Sequence, residues 1–144
     1  MKNEPQHRKE KLLEDHKKKL IRQLKADAKK LEADDLNCLL KKRANKKIVV
    51  DKLIKAGDTI EHKMKLLWPM LVDYSQGNFT TIEWKVVSLM ISCFNFLIDS
   101  DYINVEDLAE LNEFDEAIAI NLVLKTAHKD IGEYQIWKKE HTKK

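Results

Sequence analysis

Apolar residues recur along this chain at intervals of three and four, the signature of amphipathic helices. Residues 8–56 contain no Gly or Pro. Leu13, Leu20, Leu24, Ala28 and Leu31 form one stripe there, and Leu36, Leu40, Ala44 and Ile48 form another. Both stripes are narrow and the positions between them are mostly charged, so this arm must lean on another surface or remain solvated. Asp34-Asp35 marks a helix stop and restart, and the pattern fits one long helix or two. A second helix is predicted over about Lys47–Val72, with Leu53, Ile60, Met64, Leu67 and Leu71 on one face. Gly57-Asp58 can interrupt it, because Asp58 and Glu61 have capping-box spacing.

Tyr74-Ser75-Gln76-Gly77-Asn78 is the clearest turn. Thr80 with Glu83 reads as a capping box opening a helix to about Ile98. That helix is apolar nearly all round (Val86, Val87, Leu89, Met90, Ile91, Phe94, Phe96, Leu97), which calls for a central position or a membrane contact. The run Val86–Ile98 is shorter than the roughly 20 residues a spanning helix needs and contains Ser88, Ser92 and Asn95. A buried central helix is therefore expected, with no transmembrane span. Asn104 or Asn112 can cap the next helical segment. The last helix, about Glu113–Lys138, presents Ala117, Ile120, Leu124, Ala127, Ile131 and Tyr134. The expected fold is all-α: a compact domain of four to six helices (residues 46–144) around a central apolar helix (about 82–98), with a long, protruding basic N-terminal helical arm (residues 1–45).

Composition supports this class. Three Gly and two Pro in 144 residues are too few for turn-rich β folds. Cys38 and Cys93 both sit at positions that read as buried in helices, and neither has a second Cys at metal or redox spacing. Reduced thiols, and an N-terminus (MKNEPQHRKEK) without an apolar signal core, give a cytoplasmic expectation. Peripheral membrane attachment stays open, since clustered Lys binds anionic lipid.

The net charge of +3 conceals a polarised chain: residues 1–56 carry +9 and residues 57–144 carry −6. Such asymmetry points to an electrostatic partner or to docking of one half on the other. The acidic connection holds Asp99, Asp101, Glu106, Asp107, Glu110, Glu113, Asp115 and Glu116 and no Lys or Arg. It comes directly after the most apolar run. These eight are the candidate partner-binding residues, for a basic protein surface. The alternative surface is the basic arm, with runs at Lys17, Lys18 and Lys19 and at Lys41, Lys42, Arg43, Lys46 and Lys47. These suit phosphates of nucleic acid or an anionic membrane. Interspersed Glu and Asp, and the lack of any aromatic residue in 1–56 for base stacking, count against nucleic acid.

Residues 46–137 supply a further indication. Gly77-Asn78-Phe79-Thr80-Thr81-Ile82-Glu83-Trp84-Lys85 is followed by Asn95-Phe96-Leu97-Ile98-Asp99-Ser100-Asp101-Tyr102-Ile103-Asn104. Next come Leu111-Asn112-Glu113-Phe114-Asp115-Glu116-Ala117, and then Val123-Leu124-Lys125, Asp130-Ile131 and Tyr134 through Trp137. This succession resembles a diverged member of the YkvA-type family of unknown function. Glu83, Asp99 and Asn104 stand where the family pattern has Pro, and Asn112 where it has Gly. The resemblance implies no activity and leaves the first 45 residues outside.

Specific chemistry finds little footing. Asp99, Asp101, Asp107 and Glu110 occupy positions 1, 3, 9 and 12 of a 12-residue window, as in a calcium loop. Ile103 at position 5 and Asn104 at position 6 remove a ligand and the turn-making Gly. Asp101 and Asp115 read instead as helix-start caps. Asp115-Glu116 is a carboxylate pair, but adjacent helical residues diverge by about 100°. His7, His16 and His141 fall in charged segments, His62 on a polar face and His128 near the apolar face of the last helix. There is no phosphate-cradling Gly loop, metal cluster or nucleophile–base set, and no cofactor is implied. The functional expectation is a non-catalytic interaction module, a small adaptor or inhibitor binding a basic protein partner. Self-association through the N-terminal helix is a further route.

Overall fold

The computed structural model describes the backbone of residues 4–55, 65–99 and 109–142, and the side chains of 11–52, 65–99 and 115–141. Among the described residues there are six helices: α1 (Glu4–Lys29), α2 (Ala33–Lys41), α3 (Arg43–Lys55), α4 (Leu67–Ser75), α5 (Trp84–Asp99) and α6 (Ala109–Thr142). The described residues contain no strand, so the protein is an all-α domain.

Helix α5 is central. Ten of its sixteen residues are buried, on every side of the helix, and α1, α2, α3 and α6 all pack against it. Met90, Ile91, Phe94 and Leu97 are fully enclosed, each side chain contributing roughly 1.5–3 kcal/mol by burial. Its two buried hydroxyls are satisfied locally or across the core. Ser88 Oγ donates to the Lys85 carbonyl at 3.1 Å, and Ser92 Oγ donates to the Leu24 carbonyl of α1 at 2.8 Å.

The N-terminal arm does not protrude. Leu24 and Ala28 are buried, Leu13, Leu20 and Leu31 are half-buried, and α1 lies across α5 and α6. The expected stripe is thus the docking face. The arm beyond it divides at Leu31-Glu32, before Asp34-Asp35. The Glu32 N–H donates to Asp35 Oδ2 at 2.6 Å and the Asp35 N–H donates to the Glu32 carbonyl at 2.9 Å, so Glu32 is the cap of α2. A second break at Lys42, whose backbone is extended, rotates the apolar pattern. Leu36, Leu39 and Val49 are buried while Ala44 is exposed. Cys38 is exposed and Cys93 buried, because Leu36 and Leu39 turn the opposite side of α2 inward.

The predicted helix Lys47–Val72 is interrupted by a turn at Lys65-Leu66, directly ahead of α4, and its first part coincides with α3 as far as Lys55. Pro69 lies in the first turn of α4, where a missing N–H costs no bond. The Gly57-Asp58 signal lies outside the described residues. Helix α4 ends in a Schellman motif. Asn78 N–H donates to the Asp73 carbonyl at 2.9 Å, Gly77 N–H donates to the Tyr74 carbonyl at 3.1 Å, and Gly77 has φ +76°.

Helix α5 starts three residues later than the Thr80 cap predicts. Val86 and Val87 N–H both donate to the Glu83 carbonyl, and the segment before it stays irregular. Its Phe79 and Ile82 are inserted into the core.

Gly77→Ala lowers stability by about 1 kcal/mol, the left-handed backbone alone opposing a Cβ that meets no atom within 4 Å. Gly132→Ala, inside α6 and equally open, raises stability by about 1 kcal/mol. Urea midpoints of the two variants, moving in opposite directions, check both.

Candidate interaction surface

The acidic connection begins at the C-terminus of α5, where Asp99 is exposed. Asp101, Glu106 and Asp107 lie outside the described residues, as do the side chains of Glu110 and Glu113 at the start of α6. The last two carboxylates face inward. His16 Nε2–H of α1 donates to Asp115 Oδ1 at 2.7 Å, and Glu116 Oε1 is 3.1 Å from Lys52 Nζ of α3. Asp115 therefore binds a side chain of another helix rather than capping its own, whose first residue is Ala109. The window with calcium-loop spacing falls, after Asp99, on side chains outside the described residues. Among the described residues no group of three or more His, Cys, Asp or Glu is placed to hold a metal.

Lys52 does two things. It donates to the Leu97 carbonyl at the end of α5, where a cation complements the helix dipole, and it pairs with Glu116. Three helices thus meet at one ammonium. At the other end of the fold, Tyr134 O–H donates to Asp73 Oδ2 at 2.5 Å. Phe79, Tyr134 and Trp137 pack ring on ring there, with centroids 5.1–5.7 Å apart, and His141 stacks on Trp137 at 4.3 Å. Burial, reinforced by the bond to Asp73, raises the Tyr134 phenol above its ordinary value of 10.0. Burial pushes the Cys93 thiol up to about 12, so it remains a packed, protonated side chain. His128 is exposed, since the inward positions on either side of it are Ala127 and Ile131.

The basic residues lie differently. Lys17, Lys18 and Lys19 are exposed on α1, Lys41 and Lys42 are exposed at the end of α2, and Arg43, Lys46 and Lys47 are exposed on α3. The two runs occupy separate elements. On α1 the docked face turns a different set outward. Lys11, Lys18, Arg22, Lys25 and Lys29 succeed one another at spacings of seven, four, three and four, all exposed, and so form a single flank. None of these pairs with a carboxylate among the described residues.

Beside that flank, α1 and α6 leave a groove of about 430 Å³. It is lined by Lys17, Ile21 and Lys25 from α1 and by Ile118, Asn121, Leu122, Lys125 and Thr126 from α6. A second groove, about 360 Å³, lies between α2 and the α4–α5 connection. It is neutral, with Trp84, Tyr74 and Ile82 among its lining. Sequence reasoning missed the first groove and the flank. A seven–four–three–four count of basic residues would have revealed the flank, while Lys125 joins Lys17 and Lys25 only through tertiary packing.

No helix among the described residues is long and apolar enough to cross a membrane. No family model matches the chain, and neither a curated protein nor a solved structure does.

Two ties are open to direct measurement. Lys52→Met removes the contacts to Leu97 and Glu116 together and costs about 2 kcal/mol, whereas Glu116→Gln, which keeps an acceptor, costs about half as much. Denaturant midpoints decide the order. For Tyr134 the sign comes from its raised value in the folded state. The proton is held more firmly when folded, so the stability it contributes is complete below pH 10 and is lost as pH rises further. Melting temperature should therefore fall more steeply above pH 10 for the parent protein than for Tyr134→Phe.

Proposed function

We propose that this protein is a non-catalytic interaction module, and that its working surface is the basic flank of α1, which engages an anionic partner. The observation that carries the reading is the manner in which α1 docks. It is held by Leu24, Ala28 and the Ser92 bond to its backbone, and the side-chain pair of His16 with Asp115 links it to the acidic half. The lysines are left facing outward. A solvated row of this kind binds anions through charge, with modest affinity per contact and strong dependence on salt.

The acidic connection remains the surface for a basic partner, in an adaptor or inhibitor role. Asp115 and Glu116 are engaged within the fold, and that makes it the weaker of the two. The YkvA-type resemblance over residues 46–137 adds a family proposal and no activity.

Heparin serves as a generic polyanion for the test. Replacing Lys18, Arg22 and Lys29 by Glu should abolish retention near physiological salt and leave the helical circular dichroism unchanged. Retention by that variant would exclude the basic flank. Changing Glu106, Glu110 and Glu113 to Lys should leave heparin retention intact or increase it. If capture of a protein partner from native lysate is lost in that second variant alone, the function belongs to the acidic connection.

A further inference from the structure

We propose that the groove between α1 and α6 binds an anionic lipid. The charged headgroup rests on Lys17, Lys25 and Lys125, and the acyl chain lies over Ile21, Ile118 and Leu122. The proposal rests on the reading of α1 as an anion-binding surface and names the chemistry of what it takes.

The rim and floor of the groove differ in kind. Its three ionisable lining groups are all lysines, all exposed and contributed by two helices, so every charge in the lining has the same sign. The carboxylate nearest in sequence to the α6 lining, Glu116, is paired with Lys52, and its neighbour Asp115 is bonded to His16. Neither is spent on the groove lysines. The floor is apolar: Ile118 is 5% exposed, and Ile21 and Leu122 are half-buried at the base of the seam. Lysine stems are themselves aliphatic and extend such a floor while their ammonium groups stay in water. A ligand that satisfies both parts carries negative charge at one end and hydrocarbon at the other.

Other anions fit less well. A nucleic acid strand gains affinity by stacking bases on aromatic rings or guanidinium planes, and none of the eight lining residues offers either. An acidic amphipathic helix is about 10 Å across, so two turns fill roughly 850 Å³, twice the groove's 430 Å³. A single chain with a headgroup falls within the usual size of a small-ligand site, about 300–1,000 Å³.

The test uses monomeric lysophosphatidylglycerol with acyl chains of eight, ten and twelve carbons, below the concentrations at which each forms micelles, and glycerol phosphate as the chainless control. Titration calorimetry on the full chain should show affinity rising up to about fourfold for each methylene buried. Leu122→Gln should flatten that rise and leave glycerol phosphate binding unchanged. Lys17→Gln, Lys25→Gln and Lys125→Gln combined should weaken every lipid by on the order of a hundredfold. Melting curves establish that both variants are folded; if Leu122→Gln is not, Ile21→Asn replaces it. Affinity independent of chain length overturns the lipid assignment and leaves the anion-binding surface standing. Binding unaffected by the triple lysine change overturns the groove as the lipid's site, while the heparin test of Lys18, Arg22 and Lys29 decides the flank separately. A single-stranded oligonucleotide that competes with the twelve-carbon lipid and binds more tightly overturns the assignment in favour of nucleic acid.

Discussion

A helix buried on every side cannot be stable until other elements cover all of it, and α5 imposes that requirement on the rest of the chain. With ten of sixteen residues out of water, one neighbour is not enough. Helices α1, α2, α3 and α6 each take part of its circumference. The consequence is sharpest for α1. It is strongly charged, and on its own it has little reason to be helical beyond propensity. Recruited as a wall for α5, it is ordered by the burial of Leu24 and Ala28 and by a hydroxyl of α5 donating to its Leu24 carbonyl.

The two ends of α5 show how polar groups adapt to an apolar centre. At its C-terminus, Lys52 donates to the Leu97 carbonyl and meets Glu116, so a cation from α3 offsets the negative end of one helix and a carboxylate from the next. Ahead of its N-terminus, the chain enters through the Gly77 turn. The Asp73 carbonyl accepts from Asn78 and Phe79 while its carboxylate accepts from Tyr134. One aspartate thus fixes both the turn and the contact of α4 with α6. Among the described residues no buried side-chain nitrogen or oxygen lacks a partner, as a tightly covered centre demands.

Local patterns in the sequence carried much of this. An all-round apolar run identifies α5, a Gly flanked by Ser, Gln and Asn identifies its entry turn, and the Leu13–Leu31 stripe identifies the docking face of α1. What failed were inferences across breaks in the chain. The stripe drawn through Leu36, Leu40, Ala44 and Ile48 assumed one continuous helix, and the break at Lys42 resets its phase. The helix drawn through Pro69 overlooked that a proline suits a first turn better than an interior. Cys38 reads as buried by residue type alone, whereas on α2 it lies away from the face that Leu36 and Leu39 turn inward. Of the candidate surfaces, the individual lysines were legible. The inward use of Asp115 and Glu116 was not, because their partners lie 99 residues away at His16 and on another helix at Lys52. No spacing rule reaches that far.

The charge asymmetry of the two halves acquires a different meaning once the forces are compared. Opposite charges suggest that the basic arm is held by attraction to the acidic half. Partly exposed ion pairs, however, contribute up to about 1 kcal/mol each, and burying one leucine contributes roughly 1.5–3 kcal/mol. The arm is accordingly placed by Leu24, Ala28 and their neighbours, with His16–Asp115 as its one described side-chain pair to α6. Hydrophobic docking leaves the positions of the lysines unconstrained by the acidic half. Lys18, Arg22, Lys25 and Lys29 consequently form an outward flank, and Lys17 and Lys25 stand over the α1–α6 seam opposite Lys125. A helix anchored by its charges would use them internally; a helix anchored by its leucines leaves them in solvent.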